Sequence, residues 1–236
     1  MEKNFHHNLK TVVCDSSVLV CLSNCALMSV IDYLITHAKI NFIIPYEVFQ
    51  ECILHADQIK AYAWSSIKIK QMTLKGSVKV LELNNEEKRI VDNIYTLGNN
   101  SFFAGMNAIN IFHKGELEVL ALALNRNYKF IAVDERTTRV FFEDYSLLLK
   151  HLEQEFNTRI NISSRNINEL INMFSDKVFL RSSELLYIAY KKGYFNSFRE
   201  DKDKAFEYAL YALKYKGCSI SFKEINELVK IATNKE

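Results

Sequence analysis

Apolar residues in this chain gather in two kinds of run that alternate over its first two-thirds. Thr11 to Cys14, Lys39 to Ile44 and Tyr128 to Val133 are short, nearly continuous and rich in Val, Ile and Phe, as strands buried on both faces are. Val78 to Leu83 alternates apolar with polar positions, which suits an edge strand. Between these runs the spacing lengthens to that of helices. Asp15-Ser16-Ser17 offers helix caps, and Val18 to about His37 reads as a helix interrupted near Ser23-Asn24. Pro45, the only proline, stands where a helix can begin, and Glu47 to His55 and Ala56 to about Lys68 continue as helical stretches. Asn84-Asn85 caps a helix from Glu86 to Leu97, Gly115 to Leu124 forms another, and one more starts at Arg136. Strands separated by helices predict βαβ units and a mainly parallel sheet. Gly98 to Lys114 has no clear period.

After about residue 145 the texture changes. Leu147, Leu148, Leu149, Leu152 and Phe156 mark an amphipathic helix, and Thr158 to Ile162 reads as a strand. Further helices start at Ser182/Ser183, Asp201/Asp203 and Ser221. The pattern therefore divides the chain into an α/β part, residues 1–150, and a mostly α-helical extension, residues 151–236. Tyr187, Tyr190, Tyr194, Tyr208, Tyr211 and Tyr215 recur near helical spacing among Lys191, Lys192, Lys214 and Lys216. Such a stripe is more often a packed aromatic side than an RNA contact.

Bulk numbers narrow the class only slightly. At 236 residues, 49% hydrophobic and 25% charged, the chain is an ordinary soluble composition with room for a sizeable core. Its net charge of +2 divides evenly: residues 1–150 carry 16 Lys/Arg against 16 Asp/Glu, and the rest 14 against 12. No basic field advertises nucleic acid, yet a few local cations suffice for phosphate contacts. No stretch approaches the roughly 18 apolar residues of a membrane span. The start of the chain lacks the apolar segment of a signal peptide, so the expected location is cytoplasmic, with no membrane partner. Five scattered cysteines argue against a disulfide framework. Cys21 and Cys25, four apart, could be imagined with His37 or His55 as zinc ligands, but buried thiols are the better reading.

The acids change the picture. Asp15 and Asp134 each directly follow an apolar strand, Glu51 lies in the helix after Pro45, and Glu116 and Glu118 open the helix after Gly115. In an open α/β sheet, ligands bind outside the carboxyl ends of the strands. Taken singly, each acid could be a helix cap or a favourable charge at a helix start. Together they would repel: a like pair at 4 Å costs about 1 kcal/mol in water and about 4 kcal/mol at an effective dielectric of 20. Neither Lys nor Arg stands immediately beside Asp15 or Glu51, so a hard, oxygen-loving cation, Mg²⁺ or Mn²⁺, is the expected counter-charge.

These residues resemble the PIN domain family of metal-dependent ribonucleases. The opening strand ends in Asp15 with Ser17 two further on; a strand–Pro–helix passage, Pro45 to Glu51, brings a second acid. A Gly-Glu-x-Glu helix start at Gly115 follows, and last an apolar strand ends in Asp134-Glu135 with Arg139 downstream. The resemblance covers roughly residues 9–145. It implies a three-layer α/β/α PIN-like domain and a Mg²⁺/Mn²⁺-dependent endoribonuclease acting on single-stranded RNA. The metal would be held by Asp15, Glu51, Glu118 and Asp134. Ser17 would orient a metal-bound water, Glu116 and Glu135 are alternates at ambiguous helix starts, and Arg136 or Arg139 could meet substrate phosphate. The 98–114 stretch, longer than usual for the family, reads as a lid or an interaction loop. The C-terminal helices could serve RNA, a second copy of the chain or a protein partner. Against the nuclease stands a PIN-like module with a weak or absent catalytic centre, acting as an RNA-binding or protein-interaction scaffold. A phosphate-accepting receiver domain is disfavoured by the missing Lys after a late strand.

Overall fold

The computed structural model describes residues 10–55, 60 and 63–233. Its centre is a five-stranded, wholly parallel sheet made of β1 (Thr11–Cys14), β2 (Asn41–Pro45), β3 (Val78–Leu81), and two later strands, Phe130–Ala132 and Val178–Leu180. β1 is buried along its whole length, which is why it shows no alternation. Val13 pairs with Ile43 on one side and Ile131 on the other, so β1 sits between two neighbours of similar character. The chain first moves outward through β2 to β3 and then returns to the opposite side of β1. Right-handed crossovers place the helices of those two journeys on opposite faces of the sheet.

Outward, the helices are α1 (Ser16–Asn24), α2 (Ser29–Ala38), α3 (Tyr46–Gln50) and α4 (Ala63–Leu74). The break expected near Ser23-Asn24 is real: Ala26 takes a positive φ of 58°, and α1 and α2 diverge by 111°. Pro45 ends β2 and stands just before α3 instead of inside its first turn. Beyond α3 the backbone widens into a π turn, Glu51–His55. Part of the helical stretch expected from Ala56 lies outside the described residues, and α4 starts later, at Ala63.

On the return, α5 (Asn85–Gly98) opens with a capping box between Asn84 and Glu87. The 98–114 stretch is an antiparallel hairpin, β4 (Phe102–Ala104) and β5 (Asn107–Ala108), turning at Gly105 with φ 63°. α6 (Lys114–Asn125) is buried almost all round, the mark of a helix pressed between a sheet and other helices. β6 (Phe130–Ala132) follows, then α7 (Arg136–Phe156), bent at Asp144. β7 (Ile160–Ile162) pairs with β4, and Phe102 and Phe112 are both buried, Phe112 lying 5.1 Å from the Phe141 ring. The lid reading of 98–114 therefore gives way to a loop pinned to the core by its own phenylalanines.

α8 (Ser164–Met173) leads to β8 (Val178–Leu180), the edge strand of the main sheet. The N–H of Val133 donates to Leu180 O and that of Val178 to Lys129 O, both at 2.8 Å. The sheet thus reaches past residue 150 for its fifth strand, and the extension carries two strands as well as helices. α9 (Ser182–Lys191), α10 (Lys202–Tyr215) and α11 (Phe222–Thr233) complete the chain, beginning where the caps predicted. Leu185, Leu186, Phe206, Leu210 and Leu213 are buried among them. The tyrosine stripe is mostly structural: Tyr190 packs at a tilt 4.5 Å from Phe206 and donates to Asp203 Oδ1 at 2.6 Å. Tyr194 shares a 2.6 Å hydrogen bond with Ser29, docking this unit on α2. Among the described residues no single helix is long and apolar enough to cross a membrane.

Candidate active site at the ends of the central strands

The strand order reverses between β1 and β6, and a crevice opens at such a switch point. Asp15 follows β1, and Asp134 and Glu135 follow β6. Asp15 N–H donates to Ala132 O at 2.9 Å, stitching the two strand ends together. Ser17 completes the tie: its hydroxyl donates to Asp15 Oδ2 at 2.5 Å and accepts the Asp134 N–H at 3.0 Å. Asp15 also caps α1 by accepting from Ser17 N–H at 3.0 Å.

Around this junction stand further carboxyls. Glu51 is carried by the π turn and lies against α6 at Gly115, where a Cβ would stand 2.6 Å from Glu51 Oε1 and 2.7 Å from Oε2. The missing side chain is what makes room for the carboxylate. Glu116 is buried, its Oε1 accepting from the Thr138 hydroxyl at 2.7 Å and its Oε2 from His113 N–H at 2.6 Å. Glu135 caps α7 by accepting from Thr138 N–H at 2.8 Å. Burial, first, raises the carboxyl pKa of Asp15, and the Glu135 charge adds to it; the bonds from Ser17 oppose the rise. Burial and then Asp15 raise Glu51, and the same two causes push Glu116 up to about 8. Asp15, Glu51, Glu116 and Glu135 thus form one electrostatic group, and no Lys or Arg among the described residues pairs with the first three.

Two of the sequence-selected acids take other partners. Residues 116 and 118 are separated by about 200° around a helix, so one crevice cannot receive both. Glu118 instead accepts the Glu47 N–H at 3.3 Å, capping α3 near the Lys114–Glu47 ion pair. Asp134, adjacent to Glu135 after a strand, must likewise diverge from it. Its Oδ1 accepts from Ser182 N–H at 2.7 Å, drawn by the unpaired amides at the start of α9. Its Oδ2 is buried with no hydrogen-bond partner, and burial raises its pKa. The alternates Glu116 and Glu135 share the electrostatic field of Asp15, whereas Asp134 is bonded to Ser182, and Glu118 stands with Glu47 and Glu51 around Lys114. Thr138 was not foreseen; its spacing from Glu135, N-cap to third residue, was the available signal. Arg139, one of the two arginines expected to meet substrate phosphate, pairs with Glu143.

The donors of this group are all hard oxygens, the chemistry that suits Mg²⁺ or Mn²⁺. In the present arrangement each carboxyl is held by its own hydrogen bonds. Among the described residues no three of His, Cys, Asp or Glu stand close enough to hold a metal ion as they lie. A group of buried and half-buried carboxyls without an ion pair to Asp15, Glu51 or Glu116 nonetheless suits a cation.

A parallel sheet with helices on both faces and acids at its switch point defines a PIN-like α/β protein. The family comparison agrees: a model described as DUF3368, a PIN domain, matches residues 11–149, and the chain belongs to that family. PIN domains are in general nuclease-like, use divalent metal ions and bind RNA. Neither a curated protein nor a solved structure matches the chain significantly.

Proposed function

We propose that this protein is a Mg²⁺- or Mn²⁺-dependent endoribonuclease acting on single-stranded RNA, with Asp15, Glu51, Glu116 and Glu135 as the metal-holding acids. The observation that carries this reading is the group of buried and half-buried, mutually repelling carboxyls at the switch point, with no ion pair to Asp15, Glu51 or Glu116. A bound ion would polarise the scissile phosphoryl group and acidify a water. The chain's own residues do the rest. Ser17 fixes Asp15 against the end of β6, Gly115 gives Glu51 its place, and Thr138 with the His113 amide orients Glu116. Asp134 is a positioning residue: through Ser182 it anchors the chain just before Glu135.

Metal binding is checked by melting. With Mn²⁺ at 100 times its Kd the expected stabilisation is about 2.7 kcal/mol, or roughly 5–10 °C for a chain of this length. Glu116 with a pKa of about 8 holds its proton at pH 6.5 and must release it to a metal. The Mn²⁺ shift should therefore grow between pH 6.5 and 8.5. Without metal the sign is opposite: the folded state keeps a proton that the unfolded state has lost, so stability falls as pH rises from about 4.5 to about 8. A flat response to Mn²⁺ at both pH values favours the scaffold reading, which the separation of the carboxyls supports.

Gly115→Ala separates site from scaffold in one residue. The new methyl meets the far end of a flexible side chain, so Glu51 swings away and the fold survives. Alanine in a helix recovers about 0.5–1 kcal/mol relative to glycine. The expected result is an unchanged or higher melting temperature with Mn²⁺ affinity reduced by about tenfold or more, by analogy with the loss of a group supporting a metal site. Calorimetric titration beside a thermal melt reads both.

A further inference from the structure

A cavity of about 560 Å³ opens from Arg136, the residue after Glu135, between the first turns of α7 and the segment joining α10 to α11. Arg136 and Arg139 line it from α7, and Lys214, Ser219 and Ser221 from the C-terminal unit. We propose that this cavity is a phosphate subsite for the RNA strand, built jointly by the nuclease domain and its C-terminal helices. It deepens the endoribonuclease reading by giving those helices a share in substrate binding.

Charge pairing argues for an anion. The acids on the wall are already engaged. Glu143 pairs with Arg139, Glu224 with Arg181 at 2.8 Å, and Asp144 accepts from the Ser146 N–H and hydroxyl at 3.0 and 2.6 Å. Arg136 and Lys214 have no carboxylate partner among the described residues, so the pocket keeps two positive charges that no acid neutralises. Arg136 is exposed, and Lys214 reaches Ile220 O at 2.7 Å while lying 4.5 Å above the Phe222 ring. Two polar atoms of the wall, Arg139 Nε and Ser219 Oγ, are buried without any hydrogen-bond partner. Both could turn a donor toward a phosphate oxygen, and guanidinium groups bind phosphate well. Position argues for the same strand that reaches the acids. Arg136 follows Glu135 in sequence, and Ser219 N–H donates to Asp134 O at 3.3 Å. A strand whose scissile phosphate sits at the carboxyls would place a neighbouring phosphate here.

The test is binding of a fluorescein-labelled single-stranded RNA octamer to the full chain in EDTA, followed by anisotropy across a salt series, with metal-dependent cleavage measured separately. Arg136→Ala touches an exposed side chain and should leave the melting temperature alone. Lys214→Gln serves as a second, independent variant. Each should weaken binding about tenfold at low salt and flatten the salt slope by about 0.7, the value for one phosphate contact on a single strand. Glu143→Gln, which removes a competing acid, should tighten binding. RNA binding and slope unchanged in both cation variants would overturn the subsite even if the wild type cleaves RNA. Normal dependence on Arg136 and Lys214 in a protein that never cleaves would uphold the subsite and defeat the nuclease. A wild type with no affinity for RNA would defeat both.

Discussion

Asp15→Asn should reduce metal-dependent cleavage of single-stranded RNA by about 100- to 1,000-fold, the usual cost of removing one charge-stabilising group from a reaction centre. Its melting temperature should hold or rise. Asparagine caps helices as well as aspartate does, and its carbonyl oxygen can still accept from Ser17 N–H and Oγ. Replacing a buried carboxylate whose pKa is already raised also removes a charge that burial disfavours. Glu135→Gln should behave alike, because its charge reaches both Asp15 and Glu116. Asp134→Asn should be milder, within about tenfold of wild type, since an amide oxygen can keep the bond from Ser182 N–H. Rates of the three variants on one RNA, at saturating Mn²⁺, decide the point. An inactive Asp134→Asn beside an active Glu135→Gln would return the fourth acid to Asp134.

Ending the chain after Lys150 should abolish cooperative folding. The cut removes β8, leaving Val133 N–H without Leu180 O and β6 as an open edge. It also removes buried Leu185, Leu186, Phe206, Leu210 and Leu213 from their neighbours. Each such side chain contributes about 1.5–3 kcal/mol through burial, and the sum rivals the whole stability of a typical domain, about 5–15 kcal/mol. Asp134 would lose the Ser182 amide that balances its burial. Circular dichroism and gel filtration of residues 1–150 check this; a soluble fragment with a sharp melt would show that the α/β part stands alone.

Much of the architecture was legible because it rests on local signals. β1 and β2 are β-branched and buried, and the C-terminal helices begin at polar caps, so pattern alone placed them. β8 was not legible: three apolar residues between Lys177 and Arg181 look like any loop, and only pairing with β6 makes them a strand. The acids divide in the same way. Asp15 could be selected from sequence as the only carboxylate at its strand end, and Glu51 by its place after the strand–Pro–helix passage, one turn past Glu47. The pairs Glu116/Glu118 and Asp134/Glu135 could not be resolved. Geometry separates the members of each pair, but which one each site receives depends largely on partners distant in sequence, Thr138 for Glu116 beside its local bond from His113 N–H, and Ser182 for Asp134. Long-range donors acted together with local caps, and only the caps are visible in sequence.

The dependence of Asp134 on Ser182 and Ser219 has a consequence for biosynthesis. A ribosome releases the chain from its N-terminus, and the loop after β6 emerges more than eighty residues before Ser219, whose N–H holds its backbone carbonyl. Until then the rim of the candidate site lacks its outer fastening, so a half-made polypeptide carries the acids without the framework that aims them.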